Sequence, residues 1–314
     1  MAARGLVALT VTVLAALLTP LGLNLLSAAQ VAAKITTSTG FTIENNTKLL
    51  NLLPADAKPL EVAARVLQGA AAEALAARLG TGRLLAVQEF QLPGGEKLYA
   101  VMLPGNGLRL RLYSAQGEPV KYKLVVLHNV SATEHMEEAS GAGLGVSRLS
   151  PLLGPAGAAY EAATIYRDVR AVKGFIAASY LLEAEVKGRY IPLGYYITLA
   201  EYYAFYLAGH MVYKVVAKGM FYVNPGKSAT LVYDLSYYTT SFPFYSCNFH
   251  TTVRNTGIAV SLRAEGTAAA ADCPVTTRLH AWALVGIDKY GNVMRDGHGN
   301  KEIAIACGCT PWSP

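Results

Sequence analysis

From Arg83 onward the chain is written largely with a period of two, and that period commits it to β-sheet. Leu108, Leu110 and Leu112 alternate with Arg109 and Arg111, which puts leucines on one face of a strand and guanidinium groups on the other. Residues 88–92, 98–103, 108–112 and 120–127 read as four strands. Pro93-Gly94-Gly95, Gly105-Asn106-Gly107 and Gln116-Gly117 stand between them as turns, so the four are expected to form an antiparallel meander.

After Gly174 the pattern returns and is rich in tyrosine. Strands are expected over 182–186, 210–223, 229–238, 249–254, 258–264, 278–287 and 302–307. Asn224-Pro225-Gly226, Asn255-Thr256-Gly257, Asp288–Asn292 and Asp296–Asn300 read as turns. Residues 197–207 fit two periods, because Leu199, Tyr202, Tyr203 and Tyr206 also share a helical face. The expected fold class is mainly β with minor α: an antiparallel β-sandwich-like core, one amphipathic N-terminal helix and a Gly/Pro-rich long loop. That helix is residues 60–79, where Leu60, Ala63, Ala64, Leu67, Ala71, Ala74, Leu75 and Leu79 fall on one face and Gly80 follows the end. The loop is 140–157, dense in Gly, Ser and Pro, and a short helix is expected over 158–173.

The first residues carry an address. Arg4 precedes a mostly apolar, uncharged run from Gly5 to Leu18. Pro20 and then Ser27-Ala28-Ala29 follow, in the order basic, apolar, small that a secretory signal uses. Residues 1–29 are read as a signal peptide, or as a membrane anchor if uncleaved, since Gly5 to Ala29 is long enough to span a bilayer. The remaining divisions are an extended segment 30–57, a helix-plus-meander unit 58–139, the loop 140–157 and a tyrosine-rich β-unit 158–314. The expected location is extracellular or at the cell surface.

Hydrophobic residues make up 53 % of the chain and charged residues 15 %, well below the usual ~25 % charged. Such a chain buries a large core and is not disordered. The net charge of +6 is scattered along it, which speaks against nucleic-acid binding.

All four cysteines, Cys247, Cys273, Cys307 and Cys309, lie in the last quarter. In an exported chain they read as disulfides. Cys307 and Cys309 point to one side of a strand, so each is expected to reach Cys247 or Cys273. A metal set from three cysteines and His250 is the competing pattern, but its spacing matches no zinc module. Asn45 and Asn129 head two glycosylation sequons. Asp296, Asn300 and Glu302 are weak calcium candidates that fit a turn better than a binding loop. The histidines form no His-x-x-x-His pair and no Gly-x-Ser-x-Gly elbow is present, so no catalytic residue, cofactor or metal is assigned. Paired tyrosines within strands are expected to point one inward and one outward.

Residues 35–43 are uncharged and rich in Ile and Thr, with Ile35, Phe41 and Ile43 on one face. A segment of that kind needs an acceptor for its backbone groups. The expected function is therefore a self-assembling subunit of an extracellular filament or coat, joined by β-strand addition and free to touch the cell envelope or carbohydrate. The alternative is an exported enzyme or a small-ligand or carbohydrate-binding β-domain.

Overall fold

The computed structural model describes residues 48–52, 60, 63–64, 67–80, 84–104, 108–137, 156–270, 275–304 and 309. Among them, fourteen strands form three antiparallel sheets. The first sheet holds β1 (Lys48–Leu52), β2 (Ala86–Gln91), β3 (Lys97–Met102) and β4 (Leu110–Ser114), in that order. The central sheet holds β5 (Tyr122–Glu137), β6 (Val169–Val186), β7 (Arg189–Leu207) and β8 (His210–Asn224). Along the far side of β8 lie β9 (Ser228–Asp234) and β10 (Tyr237–Thr240). The third sheet is β11 (Phe244–Asn255), β12 (Ala259–Ala270), β13 (Thr276–Asp288) and β14 (Val293–Ala304). The helices are α1 (Ala70–Leu79) and α2 (Ala156–Asp168).

The central sheet has core on both faces. On β7, Tyr195, Ile197, Leu199, Tyr203 and Phe205 join Leu262, Ala264, Leu279, Ala281 and Val285 of the third sheet in one buried cluster. Tyr196 points the other way, into a second cluster with Phe90, Leu98, Leu110 and Leu112 of the first sheet. There the Tyr196 hydroxyl donates to Gln88 Oε1 at 2.6 Å, both side chains being buried. The outer face of the first sheet packs on α1 through Leu75, Leu79, Val87, Tyr99 and Val101. A strand covered on both sides loses the polar half of its alternation. That is why 197–207 mimics a helix and is nonetheless the C-terminal part of β7. For the same reason Tyr195 and Tyr196, and likewise Tyr202 and Tyr203, are all buried, against the expected one-in, one-out arrangement.

Two-residue hairpins build this sheet. Lys187-Gly188 and Ala208-Gly209 all have positive φ, from 49° to 80°, the conformation that matches the right-handed twist of the flanking strands. Tyrosines also pair with glycines across strands. Tyr202 lies over Gly174 directly opposite it, and a Cβ there would come within 2.2 Å of the ring.

Several expectations are corrected. The helix over 60–79 is broken: Leu60, Ala63 and Ala64 are helical, but Gly69 has φ 57° and α1 begins at Ala70. The helix expected over 158–173 is α2, which stops at Asp168 where β6 begins. The fourth meander strand is β5, which leaves the first sheet and pairs with β6. Hydrogen bonding therefore crosses the 140–157 boundary, and the 58–139 and 158–314 units share one sheet. Part of the 30–57 segment, β1, pairs with β2. Finally, Asp296–Asn300 is not a turn but the middle of β14, which starts at Val293 and not near Glu302. Its inward residues are Gly297 and Gly299, and a Cβ on Gly299 would meet the Tyr203 ring at 2.3 Å. Asp-Gly-His-Gly-Asn is a strand in which Gly299 yields to an aromatic ring.

Candidate functional site

The third sheet ends in an open edge. Among the described residues β11 pairs with β12 alone, and residues 250–255 are exposed on both faces. Thr251 and Val253 stand opposite Ala264 and Leu262, which are fully buried, yet Val253 is 46 % exposed. The core-facing side of β11 thus overhangs the layer beneath it. At its base, Phe249 packs on Tyr238 with ring centroids 5.1 Å apart. Tyr237, Tyr238, Phe242 and Tyr245 are exposed along the crossover from β10, Phe242 to 91 %.

Cys247 is the extra residue of a β-bulge. Ser246 lies opposite Ala268 and Asn248 opposite Thr267, which leaves Cys247 outside the ladder. The Asn248 side-chain carbonyl accepts the Thr267 N–H at 2.9 Å and steadies the irregularity. Cys247 is bonded to Cys309, with Cα atoms 5.1 Å apart. The chain leaves β14 on one edge of the sheet and five residues later is tied to the other.

The solvent face of the third sheet carries a row from strand to strand. His250 stands opposite Glu265, Glu265 opposite Trp282, and Trp282 opposite His298. His280 Nε2 and Arg263 both bind Glu265, at 2.9 and 2.8 Å, and the Arg263 guanidinium lies 4.5 Å from the Trp282 ring centre.

A further feature is the seam where β14 runs antiparallel along β6. Arg295 stacks on Phe175, Lys173 Nζ donates to the Gly297 carbonyl at 3.1 Å, and Lys301 Nζ donates to the Val169 carbonyl at 3.1 Å. Lys173 also lies 3.5 Å from Asp296 and 3.8 Å from Glu201, which is 1 % exposed.

The chain matches no protein-family model, and no curated protein or solved structure is significantly similar to it. Its site has to be read from its own geometry.

Of the residues singled out in the sequence, Cys247 and Cys309 are brought together. Cys273, Cys307, Ile35, Phe41, Ile43 and Asn45 lie outside the described residues. Asn129 is in β5, opposite Ala178. Asp296, Asn300 and Glu302 share the outer face of β14 and are spread along an extended strand, Asp296 opposite Leu284 and Glu302 opposite Arg278. At about 3.4 Å of rise per residue, that spacing does not close around one ion. Among the described residues no three His, Cys, Asp or Glu side chains converge as a metal set, and no helix is long and apolar enough to cross a membrane. The Lys173–Glu201–Asp296 cluster was missed. Its one sequence signal was a carboxylate, Glu201, embedded in the apolar run of β7.

Proposed function

We infer that the chain is an exported cell-surface protein whose copies join by β-strand addition, with residues 35–43 of one copy pairing along β11 of the next. The observation that carries this reading is the β11 edge, twelve residues long, paired on one side among the described residues and overhanging its own core. A strand laid beside it would satisfy the outward backbone groups. Ile35, Phe41 and Ile43 would extend the apolar strip formed by Phe249, Val253 and Tyr238. The first and third sheets pack on opposite faces of the central sheet, so β1, which follows the donor segment, stands on the side away from β11. A donor on one side and an acceptor on the other make a head-to-tail contact, which propagates as a fibre. In this reading the central and third sheets form the sandwich-like body, the Cys247–Cys309 bond belongs to an oxidising compartment, and the sequons at Asn45 and Asn129 are candidates for glycosylation.

Proline at neighbouring positions tests the edge. In an antiparallel edge strand adjacent residues direct their N–H groups alternately to the partner and to solvent, so one of Thr251→Pro and Thr252→Pro keeps the fold. That variant is expected to stay folded and fail to polymerise. Deleting residues 34–46 should give the same loss, and a peptide of that sequence should cap growing ends. Normal filaments in electron micrographs of the folded proline variant would overturn the reading.

A second reading, a carbohydrate-binding β-domain, is favoured by Trp282 lying among His298, Glu265 and Arg263 on a solvent face. Saturable oligosaccharide binding lost in Trp282→Ala, in a chain that stays monomeric, would favour it over assembly.

A further inference from the structure

We propose that Lys173 and Asp296 are joined by an intramolecular isopeptide bond, with Glu201 relaying the protons. The three side chains come from β6, β14 and β7 and meet at the rim of the seam between the central and third sheets, with Asp296 reaching in from the outer face of β14. Lys173 Nζ is 3.5 Å from Asp296 Oδ1 and 3.8 Å from Glu201 Oε1, so the amine sits beside the carboxyl group it would attack and within reach of the relay carboxylate. The amine is held there by its hydrogen bond to the Gly297 carbonyl. The carboxyl is held by the Gly297 N–H, which donates to Asp296 Oδ1 at 2.7 Å. One residue thus fixes both reactants.

Burial of the relay group supplies the second condition. Glu201 is 1 % exposed and the Lys173 side chain 23 % exposed, while Asp296, at 64 %, faces the solvent into which the water would leave. Glu201 is placed to shuttle protons between the amine and the carboxyl.

The step balances without an oxidant, a reductant or a co-reactant. Lys173 Nζ adds to Asp296 Cγ, a C–N bond forms and a C–O bond breaks. Two of the three ammonium protons end on the departing Asp296 oxygen, which leaves as water. Glu201 takes up and returns these protons and finishes in the state in which it began.

The test is the intact mass of the full, reduced chain, with tandem mass spectrometry of its proteolytic peptides. The wild type is expected to be lighter than its sequence by one water, with a branched peptide linking Lys173 to Asp296. Lys173→Arg and Asp296→Ala should have full mass. Asp296→Asn should form the same amide with loss of ammonia and so match the wild-type product mass. Glu201→Gln, shown folded by circular dichroism, should have full mass. A folded wild type at full sequence mass overturns the bond, as does a branch that maps elsewhere. A Glu201→Gln protein that closes at the wild-type rate removes Glu201 from the reaction.

Discussion

Gly299 has no side chain because Tyr203 occupies the space. A Cβ would sit 2.3 Å from the ring, and Tyr203 is itself 1 % exposed with Phe205 packed at its edge. The ring has little room to retreat, so Gly299→Ala should destabilise the fold by about 1–3 kcal/mol, read as a lower midpoint in urea with an unchanged slope. Buried phenols set a second residue-scale behaviour. Burial pushes the Tyr233 hydroxyl up to about 12, and burial also raises Tyr213 and Tyr196. A phenol raised in the folded state contributes its full stability below the unfolded value of about 10 and loses it as pH climbs towards the folded one. Stability should therefore fall between about pH 10 and 12, by up to about 3 kcal/mol from Tyr233 alone. Phenolate absorbance from these rings should appear together with unfolding; ionisation in the folded protein near pH 10 would contradict this.

At the scale of elements, the Cys247–Cys309 bond joins positions 62 residues apart, and a closed loop of that size is worth about 4 kcal/mol in a chain-entropy account. Cys247→Ala should lower thermal stability correspondingly, with the earliest loss of amide protection in β11, the edge strand it anchors. The pairing of Cys309 with Cys247 is one of the combinations expected from the sequence, because four cysteines clustered in the last quarter leave few partners. The bulge that frees Cys247 was not legible there, since it depends on the register of β11 against β12. Strands with one wet face, such as β4, were legible from alternation alone. β7 was not, because a strand buried on both faces has no polar side to display. The centre of β14 was misread for a related reason. Asp, Gly and Asn favour turns locally, and only the ring of Tyr203, arriving from another sheet, explains the glycine at 299. The Lys173–Glu201–Asp296 cluster depends on three strands far apart in the chain, so no local spacing could reveal it.

At the scale of the whole molecule, the central sheet serves two cores, and the described sheets should unfold together. Circular dichroism and tryptophan fluorescence should report one coincident transition. The Tyr196–Gln88 hydrogen bond ties the first sheet to that unit. Gln88→Leu leaves the buried Tyr196 hydroxyl without this acceptor and should cost about 1–3 kcal/mol. If the first sheet then melts separately, the two probes will diverge, and hydrogen exchange should accelerate in β2 to β4 first.

The tie between Cys309 and Cys247 also decides how the molecule bears tension. A pull on the chain beyond residue 309 arrives at a residue tied to both edges of the sheet, through the sulfur bridge to β11 and through the backbone to β14. Without the bridge the whole load would fall on β14; with it, β11 and its ladder with β12 share the strain. In a string of copies joined along β11, the strand that receives a neighbour would also be a strand to which the tail is bolted.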